Sequence, residues 1–273
     1  MPLFSIITVC LNPGPDLDPT VASVLGQEFK DYELLIKDGG STDGTQKRNW
    51  SDPRVRFISS PDKGIFDAMN QALPLASGEF VCFLNAGDYF VDSEVLGDVA
   101  RFVKGNGDAD FFYGDVFKPT GHAKINIYPD HLSHFYMFTR TICHQCWFVR
   151  RATYLSYGGF ETKYAGGGEC RLLLKMIVRD RLQYRHVPRI IVNYKGGGHS
   201  STPSVQRQNR LWENELSRTI FSPLEYHAFT LMWGTWNILK PLLYDHFLYW
   251  IWRPIQHYRS RRNHARIRGI ETC

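Results

Sequence analysis

The chain has 273 residues, 43% hydrophobic and 22% charged, with a formal net charge of +5. This composition excludes a disordered or fibrous chain and supplies a sizeable core for one large domain, or one domain with an appendage. The excess charge lies at one end. Residues 253–273 hold Arg253, Arg259, Arg261, Arg262, Arg266 and Arg268 against one acid, Glu271, so residues 1–252 are neutral overall. Basic character is thus a property of the tail, and no nucleic-acid partner is expected.

The apolar pattern alternates between strand and helix spacing. Leu3 to Leu11 is a continuous apolar run and reads as the first strand; Asn12-Pro13-Gly14-Pro15 breaks it. Asp16 to Gln27 places Leu17, Val21, Val24 and Leu25 at helical spacing. Tyr32 to Lys37 is a second strand, followed by a polar loop and a short helix. Val55 to Ile58 is a third strand, Ile65 to Leu73 a helix ended by Pro74, and Phe80 to Leu84 a fourth strand. This alternation with short links argues a parallel α/β sheet covered by helices on both faces. The second half is less regular. Ala109 to Phe117, Lys124 to Tyr128, Gln145 to Arg150 and Tyr184 to Tyr194 read as strands, and Gly168 to Arg179 as a helix.

No secretory signal precedes the first strand, so the six cysteines are expected as reduced thiols around a cytosolic active site. Cys143-His144-Gln145-Cys146 has the spacing of a redox or zinc pair, but without a second C-x-x-C a zinc knuckle is not expected.

The fourth strand ends abruptly at Asn85-Ala86-Gly87-Asp88. In open α/β sheets ligands bind at the carboxyl ends of the strands, and a carboxylate there can hold a divalent cation that in turn holds a diphosphate. Taken alone, the segment reads more readily as an Asx turn capping the next helix. The loop after the first strand lacks the G-x-G-x-x-G of a dinucleotide site, which argues against an NAD enzyme. What remains is three polar loops at successive strand ends, Asp38 to Asp43, Asp62 to Asn70 and Asn85 to Asp88.

Four segments occur in order: Ser5-Ile6-Ile7-Thr8-Val9, Lys37-Asp38-Gly39-Gly40-Ser41-Thr42-Asp43-Gly44-Thr45, Asp62-Lys63-Gly64-Ile65-Phe66-Asp67-Ala68-Met69-Asn70 and Leu84-Asn85-Ala86-Gly87-Asp88. In this series the chain resembles family 2 glycosyltransferases of the GT-A fold, in particular bacterial colanic acid and exopolysaccharide enzymes, from about Phe4 to His199. The resemblance implies a Rossmann-like nucleotide-binding half with a mixed central sheet. It also implies inverting transfer from a nucleotide-diphosphate sugar, with Mn²⁺ or Mg²⁺ as cofactor. UDP-sugars are favoured as donors and GDP-sugars are possible.

By that resemblance Thr8, Asp38, Asp67, Asn70 and Asn85 bind the nucleotide. Many relatives carry a second acid directly after Asp38, where this chain has Gly39. Asn85 and Gly87 replace the two usual acids of the D-x-D motif, leaving Asp88 as the metal carboxylate, with His199 as a further metal or phosphate contact. Asp88 is expected at a strand end outside the core. Inversion needs a general base to take the acceptor hydroxyl proton. The family supplies it from an acid at the start of a late helix, and Glu169 in Ala165-Gly166-Gly167-Gly168-Glu169-Cys170 has that place. The plain reading of Glu169 is an acid favoured by the helix dipole. Asp115 and Asp130 are the next candidates. His144 and Gln145 resemble a pair that lines the acceptor side. Arg207 and Arg210 are candidates for neutralising diphosphate.

Tyr226 to Trp252 is rich in aromatics but interrupted by Lys240, Pro241, Asp245 and His246, so a spanning helix is not expected. Trp250 and Trp252 beside the arginines suit an interfacial helix on an anionic membrane. The alternative is a helix packed on the body or in a homodimer. The expected organisation is a transferase domain over residues 1–219 and a helical membrane-association extension over residues 220–273. The expected product is a sugar added to a polyprenyl-diphosphate-linked glycan on the cytoplasmic face of the cell membrane. The rival from another class is a catalytically inactive sugar-nucleotide or glycan-binding scaffold of the same fold.

Overall fold

The computed structural model describes residues 1–119, 125–163, 166–196 and 218–243, with side chains of the last helix described through residue 237. His199, Arg207, Arg210, Trp250, Trp252 and the arginine tail lie outside the described residues.

The apolar runs of the first half become strands because each is short and buried on both faces. β1 (Phe4–Cys10) and β2 (Tyr32–Asp38) are buried at every position, whereas β3 (Val55–Ser59) is half-exposed at the sheet edge. β4 (Phe80–Phe83) is again wholly buried. These four strands are parallel in the order β3-β2-β1-β4. α1 (Leu17–Leu25) joins β1 to β2, and α2 (Ile65–Ala72) joins β3 to β4. The short helix expected after β2 is a single 3₁₀ turn, Thr45–Lys47.

Beyond β4 the sheet is mixed. β5 (Tyr89–Phe90), β6 (Phe111–Phe117), β7 (Ile125–Asn126), β8 (Trp147–Arg150) and β9 (Tyr184–Asn193) complete it. β8 lies antiparallel between β4 and β6, β9 runs parallel to β6, and β5 closes the far edge on β9. The sheet is thus mixed, as the resemblance implied, with β3, β2, β1 and β4 forming its contiguous parallel half.

Three helices were not anticipated: α3 (Val95–Gly105), α4 (His134–Thr139) and α5 (Arg151–Ser156). The first buries Val95, Leu96, Val99, Ala100 and Val103, an amphipathic stripe that is present in the sequence. α6 (Gly168–Leu174) runs on into a π-helical turn, Lys175–Arg179, so the helix expected over that span is continuous.

Aromatic side chains tie the two halves together. Phe4 meets Phe148 edge-on at 5.2 Å, Phe80 meets Phe112 at 5.7 Å, and Phe83 meets Phe160 at 5.2 Å. The last helix, α7 (Pro223–Leu243), packs on α4. Phe138 meets Phe221 and Phe135 meets Phe229, each at 5.5 Å, and Glu225 pairs with His134 at 2.7 Å. No helix among the described residues is long and apolar enough to cross a membrane.

Candidate active site

The carboxyl ends of β1 and β4 open into a cavity of about 610 Å³. Its floor is the Asn85–Asp88 turn; α2 contributes Ile65 and Phe66, and α6 contributes Glu169. His144 and Gln145 form one wall, Lys118 and Lys195 another.

Asp88 is not outside the core, as its place at a strand end suggested. It is 6% exposed and joins two loops: Oδ1 accepts the Lys195 N–H at 2.9 Å and Oδ2 accepts Gln145 Nε2 at 2.8 Å. Burial pushes its carboxyl up to about 6, against the lowering effect of those hydrogen bonds and of Lys195 and Lys118. Gln145 is held from its other end by the Cys143 thiol, 2.6 Å from Oε1. The C-x-x-C pair therefore braces this wall. Burial pushes the Cys143 thiol up to about 12, and none of the described cysteines forms a disulfide.

Asn85 Nδ2 lies 3.2 Å from His144 Nε2. Burial pushes His144 down to about 4, so at neutral pH the ring is uncharged and Nε2 is the acceptor when the proton sits on Nδ1. Asn85 Oδ1 is buried and has no partner within the protein. Glu169 shares that property: its Oε2 is buried without a hydrogen-bond partner, and burial raises its carboxyl above the usual range. The glycine directly before it is tightly packed. A Cβ on Gly168 would stand 3.0 Å from both the Phe66 ring and the Glu161 carbonyl oxygen.

The other expected nucleotide contacts lie elsewhere. Thr8 is wholly buried two residues short of the end of β1 and does not line the cavity, whereas Val9 and Cys10 do. Asp38 ends β2, fully buried. Burial acts to raise its carboxyl, but hydrogen bonds from Ser41, Ser59 and Gly40 outweigh that and hold it low. It acts on the cavity at one remove: Ser41 Oγ accepts the Asn12 N–H at 2.7 Å, and Asn12 is on the cavity wall. The missing acid at position 39 has a steric explanation. A Cβ there would stand 2.6 Å from Asp62 Oδ2, and Asp62, paired with Lys37 at 3.3 Å, fills that space from the next loop.

Asp67 accepts from Lys63 N and Gln71 Nε2 at the start of α2 and does not reach the cavity. Asn70 clamps the chain on the way to α6. Its Oδ1 accepts the Phe160 N–H at 2.8 Å and its Nδ2 donates to the Phe160 carbonyl at 2.7 Å. Gly159, with φ of +78°, lies so close that a Cβ would meet Asn70 Oδ1 at 2.3 Å. Asn70→Ala is accordingly expected to destabilise the fold by roughly 2–4 kcal/mol, since a buried N–H and C=O lose their partners. Thermal unfolding of the variant beside the parent measures this.

Asp115 and Asp130 do not face this cavity either. Both bond to His186, Asp115 at 3.0 Å and Asp130 at 2.6 Å, and Asp130 lines a second cavity that shares no lining residue with the first. Three charged cavity residues were missed by sequence reasoning: Asp16, Lys118 and Lys195. The lysine before the triple glycine was the one available signal.

Residues 5–158 match the family model described as Glycosyl transferase family 2. This chain belongs to glycosyl transferase family 2. A PGL/p-HBAD biosynthesis glycosyltransferase of Mycobacterium bovis is 30% identical over 214 residues, covering 76% of this chain and 82% of that protein. The Escherichia coli UDP-Glc:alpha-D-GlcNAc-diphosphoundecaprenol beta-1,3-glucosyltransferase WfgD is 32% identical over 116 residues, 41% of this chain and 45% of that protein. Among solved structures, S. aureus TarS 1-349 in complex with UDP-GlcNAc superposes with a TM-score of 0.65 at 18% identity, covering 83% of this chain and 70% of that one. The Pyrobaculum calidifontis mannosyltransferase PcManGT, in complex with GDP-Man and Mn²⁺, gives 0.54 at 15% identity, covering 95% and 85%. The fold is that of GT-A enzymes, and the chain is a glycosyltransferase.

Among the described residues of this family 2 enzyme, no three His, Cys, Asp or Glu side chains gather as a ready-made metal cluster. The donor set nevertheless suits a hard cation. Asp88 is a buried carboxylate beside the orphaned Asn85 Oδ1, and Mg²⁺ or Mn²⁺ is commonly held by one carboxylate together with substrate phosphates and water.

Proposed function

We propose that the chain is an inverting, metal-dependent hexosyltransferase. It would move a sugar from a nucleotide diphosphate, UDP in preference to GDP, to a polyprenyl-diphosphate-linked glycan. The observation that carries this reading is the presence of two carboxylates in one cavity, Asp88 buried and Glu169 half-buried with its Oε2 out of solvent. Asp88 is tied down by two hydrogen bonds, and Glu169 has one oxygen without a partner. The tied one suits charge neutralisation; the open one suits proton removal. Asp88, with Asn85, would hold Mn²⁺ or Mg²⁺, which supplies charge neutralisation on the leaving diphosphate. Glu169 would accept the acceptor hydroxyl proton as that oxygen attacks the anomeric carbon from the face opposite the diphosphate. Neutral His144 and Gln145 would line the acceptor side. Asp38 would act through the Asn12 loop rather than by direct contact. The names of the Escherichia coli and S. aureus proteins support UDP-sugars, and the former supports a diphospholipid acceptor.

A thermal-shift panel of UDP-, GDP- and dTDP-sugars, with and without Mn²⁺, followed by assay of donor hydrolysis, tests this reading. A UDP-sugar should stabilise the protein most, and only with the metal. Binding without any release of sugar would favour the inactive-scaffold reading.

The 220–273 extension is proposed to hold the enzyme on the anionic inner face of the cell membrane. Leu224, Leu231, Met232 and Trp236 of α7 are exposed apolar side chains. The six arginines follow it in sequence. Each basic residue beside an anionic surface contributes about 1 kcal/mol, less at high salt. Deleting residues 253–273 is expected to release the protein from anionic liposomes while sparing donor hydrolysis. Co-sedimentation unaffected by the deletion, or insensitive to salt, would count against an electrostatic anchor.

A further inference from the structure

Asp16 and Lys195 face each other across the Asn85–Asp88 turn. Lys195 Nζ lies 2.7 Å from Asp16 Oδ1, and both residues line the cavity. They meet directly above Gly87, where a Cβ would find Lys195 Cδ at 3.5 Å and Asp16 Cβ at 3.8 Å. Both ends of the pair are fixed to the turn. The Gly87 N–H donates to the Asp16 carbonyl at 3.0 Å, and the Lys195 N–H donates to Asp88 at 2.9 Å. The ion pair itself is about half-exposed, with side chains 56% and 47% accessible. An exposed pair of this kind adds little to stability, so nothing in the energetics of the fold requires it. Lys118 stands on the same wall, its Nζ 5.0 Å from the Tyr194 ring centre.

We propose that Lys195 is a diphosphate-binding residue and that Asp16 holds its ammonium in place until a donor arrives. The proposal rests on the reading of this cavity as a nucleotide-sugar site. A compact ammonium over a turn with one carboxylate where relatives have two supplies positive charge that a thinly ligated cation shares with it. Asp16 presents an oxygen anion to Lys195, as a phosphate would, and the incoming diphosphate replaces it. Because the lysine backbone is anchored to Asp88, only the flexible side chain has to swing. The exchange breaks one ion pair and forms another, with no proton transferred.

The two partners should therefore respond in opposite directions. With UDP and GDP as probes, at fixed Mn²⁺, calorimetry on Lys195→Met should show affinity about tenfold or more weaker, the usual range for one charged hydrogen bond. Asp16→Asn should bind the same nucleotides several-fold more tightly, because the competing anion is gone. Uridine, which has no phosphate, should bind both variants as it binds the parent. Lys195→Arg should recover most of the lost affinity. If both substitutions weaken binding, or if uridine falls in parallel with UDP, the pair is structural and the proposal is overturned. If the parent binds neither UDP nor GDP, the reading of the cavity fails, which is a different result.

Discussion

Glu169→Gln is expected to lower turnover by about 10²–10⁴-fold and to leave donor affinity nearly unchanged. Glutamine keeps the shape of the side chain and removes its basicity. The site favours a base because Oε2 is buried without a partner and burial raises the carboxyl above its usual range. A raised carboxylate is a stronger base at neutral pH, though it protonates sooner on acidification. The acid limb of the pH–rate profile should accordingly lie above the ordinary carboxylate range and disappear in the variant. Near-normal transfer by Glu169→Gln would remove the assignment. Asp115 and Asp130 would not inherit it, since both are bonded to His186 and neither lines the cavity. The remaining acids there are Asp16 and Asp88.

The second large effect is expected at Asp88. Asp88→Asn should weaken Mn²⁺-dependent donor binding by about 10- to 100-fold, the range for loss of one charged contact. Asparagine nearly preserves the volume but keeps one acceptor oxygen of two, so it leaves one of the two buried donors, the Lys195 N–H or Gln145 Nε2, without an acceptor. Asp88→Ala should differ. It leaves the Lys195 N–H and Gln145 Nε2 without an acceptor in a buried place, which costs about 1–3 kcal/mol each. The fold should therefore be destabilised more by the alanine, which strands two donors, than by the asparagine, which strands one. If Asp88→Asn binds UDP with Mn²⁺ as tightly as the parent in calorimetry, the metal is held elsewhere.

Both predictions bear on what is readable in a single chain. The four parallel strands and the turn after β4 were legible because each is coded locally. A run of apolar residues is too short for a helix, and a break of small and oxygen-bearing residues ends it. The place of Glu169 on the cavity was expected only through the family pattern, since an acid opening a helix has a common structural explanation in the dipole. Asn70 was misplaced because its spacing from Asp67 shows only that the two share a helix side. Which groups that side meets depends on Phe160, ninety positions further on.

The amino-acid order by itself thus determined the α/β half, its loop at the carboxyl ends of the strands and the uneven charge. These follow from side-chain period, turn chemistry and composition, which involve neighbours in the chain. Tertiary structure alone decided the rest. It inserted β8 antiparallel between β4 and β6, and it delivered Asp62 to the space beside Gly39. It buried Asp88 between Gln145 and Lys195, and it set Lys195 opposite Asp16. Each of these is a contact between segments far apart in sequence. Such contacts depend on how strands register and which loops meet, and local pattern carries no record of that.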